Sequence, residues 1–131
     1  MSVLNPYQHY QEQSVMTASP GELTLMLYNG CIKFINKAKL AVQEKNIEEA
    51  NNAIIRAQDI IHELMYTLNM DYDISHNLAA LYDFMNRRLI DANITKDIGP
   101  LDEVLGLVTE LRDTWMEVIK ENRKQVYGAR G

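Results

Sequence analysis

A long stretch without helix breakers most constrains what this chain can fold into. Between Gly30 and Gly99 the 131-residue sequence contains neither glycine nor proline. Apolar residues there recur every three or four positions, as in amphipathic helices. No stretch alternates for long with turn residues at its ends, as a strand would. The pattern predicts an all-α fold.

The first predicted helix has a clear start signal. Ser19 fits the N-cap, Pro20 the first helical position and Glu22 the third. The serine oxygen can accept from the amide at Glu22, and the proline lacks an amide that would have no partner there. We expect this helix to run to about Glu44.

Three more helices follow. Asn46 with Glu49 repeats the capping pattern for helix 2, Asp73 can cap helix 3, and residues 97–100 break the chain before helix 4. Short loops between amphipathic helices of about 20 residues predict an antiparallel four-helix bundle. The stripes expected in its core are Ile47, Ala50, Ile54, Ala57, Ile61, Leu64 and Leu68; Ile74, Leu78, Leu81, Met85, Leu89 and Ala92; and Leu101, Val104, Val108, Leu111, Trp115 and Val118.

The ends of the chain differ from the predicted bundle, which we place at residues 19–126. Residues 1–18 form a leader that carries one charge and two tyrosines, Tyr7 and Tyr10, spaced to share a helical face. We expect this leader to be mobile, and residues 127–131 to be a flexible tail.

Composition excludes several classes of protein. A net charge of -5 argues against a nucleic-acid binder, which needs a dense basic face. The single cysteine, Cys31, excludes an internal disulfide and a zinc site built on paired cysteines. No apolar run approaches the ~20 residues of a membrane span, and the first residues lack the features of a signal peptide. We therefore expect a cytoplasmic protein that does not insert into membranes.

Catalytic and metal-binding motifs are weak. Asp59/His62 and Asp73/His76 resemble half of a di-iron site, which also needs an inward Glu from two other helices. Asp59 and His62 fall opposite the helix 2 stripe, and Asp73 resembles a cap. We expect no cofactor, no metal and no enzymatic activity, although a metal-binding bundle enzyme remains an alternative.

Helix 1 has more apolar residues than a simple bundle needs. Leu25, Tyr28, Ile32 and Ile35 form a stripe roughly opposite a second one that includes Phe34. Either helix 1 is central and covered on both sides, or part of its surface forms a groove for a partner helix or peptide. Further apolar residues lie off or beside the core stripes of helices 2 and 3, namely Ile55, Tyr66, Tyr82 and Phe84.

Several segments together resemble the flagellin export chaperone family FliS. The run 19–30, SPGELTLMLYNG, is similar to the family's first-helix signature, and Asn5-Pro6-Tyr7 with Tyr10 to its leader. Residues 81–89, LYDFMNRRL, resemble its third-helix motif, extended by Ala92-Asn93, and Leu111-Arg112 with Trp115 its last helix. The resemblance covers nearly the whole chain in order.

The resemblance implies a non-enzymatic bundle that binds the disordered C-terminal segment of flagellin, prevents premature polymerisation and delivers it to the flagellar type III export gate. The leader would cap the groove and exchange with flagellin. Candidate cap or flagellin-binding residues are Tyr7, Tyr10, Leu25, Tyr28, Ile32, Ile55, Tyr66 and Tyr82, with Arg87 and Arg88 as polar anchors or export-gate contacts. A regulatory adaptor that sequesters another flagellar protein through the same surface is the alternative from a different class.

Overall fold

The computed structural model describes the backbone of residues 20–130 and the side chains of residues 21–124. Over this range there are four helices and no strand, which confirms the predicted all-α class. The helices are α1 (Pro20–Gln43), α2 (Ile47–Tyr66), α3 (Asp73–Thr95) and α4 (Ile98–Arg130).

The helices form the predicted antiparallel four-helix bundle. α1 and α3 each pack against both α2 and α4, so every helix lies beside its neighbours in sequence and α1 also lies beside α4. The short connections 44–46, 67–72 and 96–97 allow this up-and-down arrangement. As a result the start of α1, the end of α2, the start of α3 and the C-terminal part of α4 lie at the same end of the bundle.

The structure confirms one of the predicted N-caps and contradicts another. The Asn46 side chain caps α2 as expected, accepting a hydrogen bond from the Glu49 amide at 3.1 Å. The prediction that Asp73 caps α3 is wrong: Tyr72 occupies the N-cap without a side-chain hydrogen bond, and Asp73 is the first helical residue. In the first turn of α3 the Asp73 carboxylate still interacts favourably with the helix dipole, which explains an acidic residue at this position.

The predicted break before helix 4 is also shifted. α4 begins at Ile98, so Gly99 and Pro100 belong to its first turn. Proline is tolerated there because the first amides of a helix have no partner within the helix. At the other end, α4 continues past residue 126 to Arg130.

Lysines occupy the two tightest connections. Lys45 has a φ of 59° and Lys96 a φ of 54°, the left-handed region that favours glycine. The Lys96 amide donates to the Ala92 carbonyl, and its Nζ contacts the Asn93 carbonyl and side chain. These contacts help to hold α3 at its C-terminal end.

The core contains side chains from all four helices. Small residues let α1 and α2 approach closely, among them Ala38, Ala41, Ala50 and Ala53. The larger buried side chains include Ile35, Ile54, Ile61, Leu64, Met85, Leu89, Leu101, Val104 and Val108.

Some residues differ from their predicted places in the core. Ile47, Ile74 and Val118 are exposed; Ile47 and Ile74 lie in the first turns of α2 and α3, and Ile74 and Val118 line the apolar cleft described below. Tyr82, expected beside the α3 stripe, is buried within the core. Tyr28 and Ile35, which belong to the same helix 1 stripe, are buried, and Phe34 of the second stripe is partly buried against the core. Both stripes of helix 1 are therefore at least partly covered, as in the interpretation in which the helix lies centrally.

Two amide pairs connect α2 with α3. Gln58 donates to the Asn86 side chain at 3.1 Å, and Asn93 donates to the Asn51 side chain at 2.8 Å. On each helix the two residues that form these hydrogen bonds are about two turns apart. The two pairs together therefore favour a single register between the antiparallel helices.

The leader at residues 1–18, the Ser19 cap and the side chains of the predicted tail lie outside the described residues. The domain limits at 19 and 126 therefore stay predictions.

Candidate functional site

An apolar cleft of about 660 Å³ opens at the end of the bundle where α3 begins. We call it the α3–α4 cleft. The first three turns of α3 and the middle of α4 form its walls, the 67–72 connection closes one side, and Thr24 and Tyr28 of α1 also line it.

The walls of the cleft are made mostly of aliphatic side chains. They come from the 67–72 connection, the first three turns of α3 and the middle of α4. The aliphatic lining residues are Leu68, Ile74, Leu78, Leu81, Leu107, Leu111 and Val118. A concave, largely apolar surface of this size is typical of a binding site.

Two tyrosines form the floor. Tyr28 from α1 and Tyr82 from α3 are only 3% and 1% exposed, and their hydroxyl oxygens lie 2.6 Å apart. Burial raises the pKa of both phenols, and the hydrogen bond to Tyr28 raises that of Tyr82 further. Both hydroxyls are therefore protonated throughout the physiological pH range.

Aromatic and polar residues form the rim. Tyr72 and Ile74 are 64% and 63% exposed, although both line the cleft. The indole Nε1 of Trp115 donates to the Gly21 carbonyl at 2.8 Å and so ties α4 to the first turn of α1. This bond helps to fix the position of the Trp115 ring, which lines the cleft.

A second depression of about 630 Å³ lies between the first turn of α1 and the end of α4. Leu25, Met116 and Ile119 line its apolar part. Charged residues surround it, and Arg123 pairs with Glu22 at 2.8 Å.

The predicted binding residues do not form a single surface. Tyr28 and Tyr82 line the α3–α4 cleft, whereas Leu25 lies in the second depression. Ile32 is partly buried against the core. Ile55 and Tyr66 are 43% and 86% exposed on α2 and do not line the cleft. Tyr7 and Tyr10 lie outside the described residues.

The two predicted polar anchors are engaged within the bundle. Arg87 pairs with Asp83 at 3.2 Å on the exposed face of α3. Arg88 bonds to Asp91 on its own helix and to Glu103 of α4, at 3.0 and 2.8 Å. Arg88 therefore links α3 to α4, while Arg87 stays well exposed.

Sequence reasoning assigned several cleft residues to the core. Leu78, Leu81, Leu111 and Trp115 were all expected there because of their helical spacing, and Leu107 was not singled out. One signal could have identified the cleft. In an antiparallel pair, the start of helix 3 meets the end of helix 4, and the connection before helix 3 contains Leu68, Met70 and Tyr72 as further apolar residues.

The residues considered for a metal site are dispersed. Asp59 and His62 are exposed on α2, and the His76 Nε2 lies 3.0 Å from the Met70 carbonyl. Among the described side chains, no group of three or more His, Cys, Asp or Glu residues converges as metal ligands would. Within the same part of the chain, no helix combines the length and apolarity needed to span a bilayer.

The chain is similar to flagellar proteins over its whole length. Residues 3–122 match the family described as flagellar protein FliS. The flagellar secretion chaperone FliS of Bacillus subtilis is 50% identical over 131 residues, covering 100% of this chain and 98% of that protein. The flagellar secretion chaperone FliS of Salmonella typhimurium is 33% identical over 110 residues, 82% of each.

The fold has a solved counterpart. A crystal structure of a flagellar chaperone from bacteria superposes with a TM-score of 0.74 at 20% identity, covering 88% of this chain and 99% of that one. This similarity concerns the fold alone. The family match and the relatives confirm the resemblance found in the sequence, and the chain belongs to the FliS family of flagellar proteins.

Proposed function

We propose that this protein is a cytoplasmic, non-enzymatic export chaperone for flagellin. It binds the disordered C-terminal segment of flagellin, prevents premature polymerisation and delivers flagellin to a component of the flagellar type III export gate. Its membership of the FliS family supports this proposal, as do relatives named flagellar secretion chaperones.

The observation that carries the proposal is the α3–α4 cleft. An unfolded segment that becomes ordered on binding loses conformational entropy worth several kcal/mol, so its partner must offer extensive apolar surface. The cleft provides aliphatic walls, and exposed apolar side chains at its rim, such as Ile74, lie ready to be covered. An amphipathic segment can lay its apolar face into a groove of this kind.

The leader would occupy the cleft when flagellin is absent. α1 begins at Pro20, at the end of the bundle where the cleft opens, so residues 1–19 connect directly to this region. In this proposal Tyr7 and Tyr10 cover the cleft and leave it when flagellin binds. Replacing both with alanine is expected to change flagellin affinity or release without changing helicity, and unchanged binding and export would exclude the leader from the mechanism.

Residues outside the cleft would bind other parts of the same segment. Leu25 offers apolar surface in the second depression, and Ile55 and Tyr66 do so on α2. Ile32, which is half-buried, would contribute only at its exposed edge. Arg87 has a largely exposed side chain that can anchor flagellin or the export gate, whereas Arg88 would first have to leave its two carboxylate partners.

Calorimetry with purified flagellin tests the proposal. We expect one-to-one binding with a negative heat-capacity change, which is lost when the C-terminal segment of flagellin is deleted. Equal binding of intact and truncated flagellin would contradict the assigned segment, and no binding of either would contradict the function. Competition by another flagellar regulator for the same surface would indicate the adaptor role in addition.

A further inference from the structure

The α3–α4 cleft is lined by two buried tyrosines whose hydroxyls are hydrogen-bonded to each other, among aliphatic and polar side chains. We propose that the Tyr28–Tyr82 hydroxyl pair is a specificity-determining anchor that donates a hydrogen bond to one carbonyl oxygen of the bound segment. This inference rests on the proposed function and assigns to the pair a role beyond joining two helices.

The first argument is the number of protons. Two phenol hydroxyls carry two protons, and one hydrogen bond between them, at 2.6 Å, uses one. Each hydroxyl oxygen already takes part in this bond, but the second proton has no acceptor within the pair. Both tyrosines line the cleft, so a group that enters it can supply this acceptor.

The second argument is the charge state. Burial raises the pKa of Tyr28 and of Tyr82, so neither hydroxyl loses its proton near neutral pH. The pair therefore acts as a neutral donor and does not become an anionic acceptor. When one hydroxyl already donates to the other, polarisation along the chain strengthens the remaining donor.

The third argument concerns what the surroundings reject. Leu78, Leu81 and Leu107 line the same cleft as the pair and offer no hydrogen bond from their side chains, although Thr24, Ser75, Glu110 and Thr114 line it as well. A charged or strongly hydrated side chain would lose its water there without adequate compensation. A single carbonyl oxygen, from the peptide backbone or from an amide side chain, can be satisfied by one hydroxyl donor. The pair would thus fix the position of an apolar segment that could otherwise slide along the cleft.

Phenylalanine variants separate the anchor from a purely structural pair. Tyr28→Phe and Tyr82→Phe each leave one hydroxyl that can still donate, whereas the double variant removes both. We expect each single variant to weaken binding of the C-terminal flagellin segment less than the double, which should raise Kd roughly three- to tenfold, as for loss of one hydrogen bond.

The unfolding of each free variant is measured alongside its affinity. Thr95→Val is the control, since it deletes a hydroxyl at the far end of α3 that donates only within its own helix. It should leave Kd unchanged. If the double variant is destabilised but binds the segment as wild type does, the pair only joins α1 to α3 and the anchor is refuted. If the wild-type protein binds no flagellin segment at all, the proposed function fails, and the anchor with it.

Discussion

Shortening one exposed isoleucine at the rim of the cleft should weaken flagellin binding without weakening the fold. Ile74 lines the α3–α4 cleft and is 63% exposed in the free protein. Ile94 lies on the same helix at the opposite end of the bundle, is 76% exposed and does not line the cleft. The pair Ile74→Ala and Ile94→Ala therefore compares the same chemical change on the same helix.

The expected magnitude follows from the area that binding would cover. Isoleucine to alanine removes three carbons, each worth about 0.8 kcal/mol when fully buried. Scaled by the 63% of Ile74 that is open to be covered, the loss is up to about 1.5 kcal/mol, or roughly tenfold in Kd, because a leader that covers the same rim in the absence of flagellin would offset part of it. Both substitutions improve helix propensity by a few tenths of a kcal/mol, so neither should destabilise the bundle.

Calorimetric titration of the flagellin C-terminal segment into both variants gives the affinities, and urea unfolding gives the stabilities. The reasoning requires Ile74→Ala to bind more weakly than wild type, with Ile94→Ala unchanged. Equal affinities, or a loss only in Ile94→Ala, would show that the segment does not cover this rim.

Three further predictions concern the bundle itself. Gly106 lies in the interior of the α4 sequence and is exposed to solvent, and a methyl group added there would meet no atom within 4 Å. Gly106→Ala should therefore raise the free energy of unfolding by about 0.5–1 kcal/mol. An unchanged urea midpoint would refute this prediction. Lys45→Gly should raise the free energy of unfolding by about 1 kcal/mol, because glycine adopts the left-handed backbone conformation without strain. Lys96→Gly should raise it by less, since the contacts of the Lys96 Nζ are lost. Equal increases for the two variants would contradict the argument. Burial raises the pKa of Cys31 to about 12, so the folded state keeps a proton that the unfolded chain releases above about pH 8.5. Its contribution to stability is complete below that pH and should be lost as the pH rises towards 12, and Cys31→Ala should reduce the slope of urea-measured stability between about pH 9 and 11.

The helices were predictable because their signals are local. The Asn46 cap acts within four residues, and the α2 stripe at Ala50, Ile54, Ala57 and Ile61 has the period of a helix with one buried face. Such signals say which face turns inwards. They do not show which part of a stripe a neighbouring helix covers, which is why Ile47 and Ile74 continue the stripes and are nevertheless exposed.

The cleft was harder to predict because it arises between helices that are far apart in sequence. Leu78 and Leu111 have the spacing of core residues, and nothing local shows that the bundle leaves a cleft between α3 and α4 at these positions. Tyr28 and Tyr82 were singled out as binding residues, but their contact joins positions 54 residues apart and depends on the bundle being assembled. The family resemblance supplied the function, while the structure supplied the position of the cleft.

Methyl NMR of the protein with and without the flagellin C-terminal segment tests the central claim most directly. The claim is that the segment binds in the α3–α4 cleft. We predict large shifts for the methyl groups of Leu78, Leu107 and Ile74, and none for Ile47 and Ile94, which lie outside it. Shifts confined to Ile47 and Ile94, with the cleft methyls unchanged, would contradict the account.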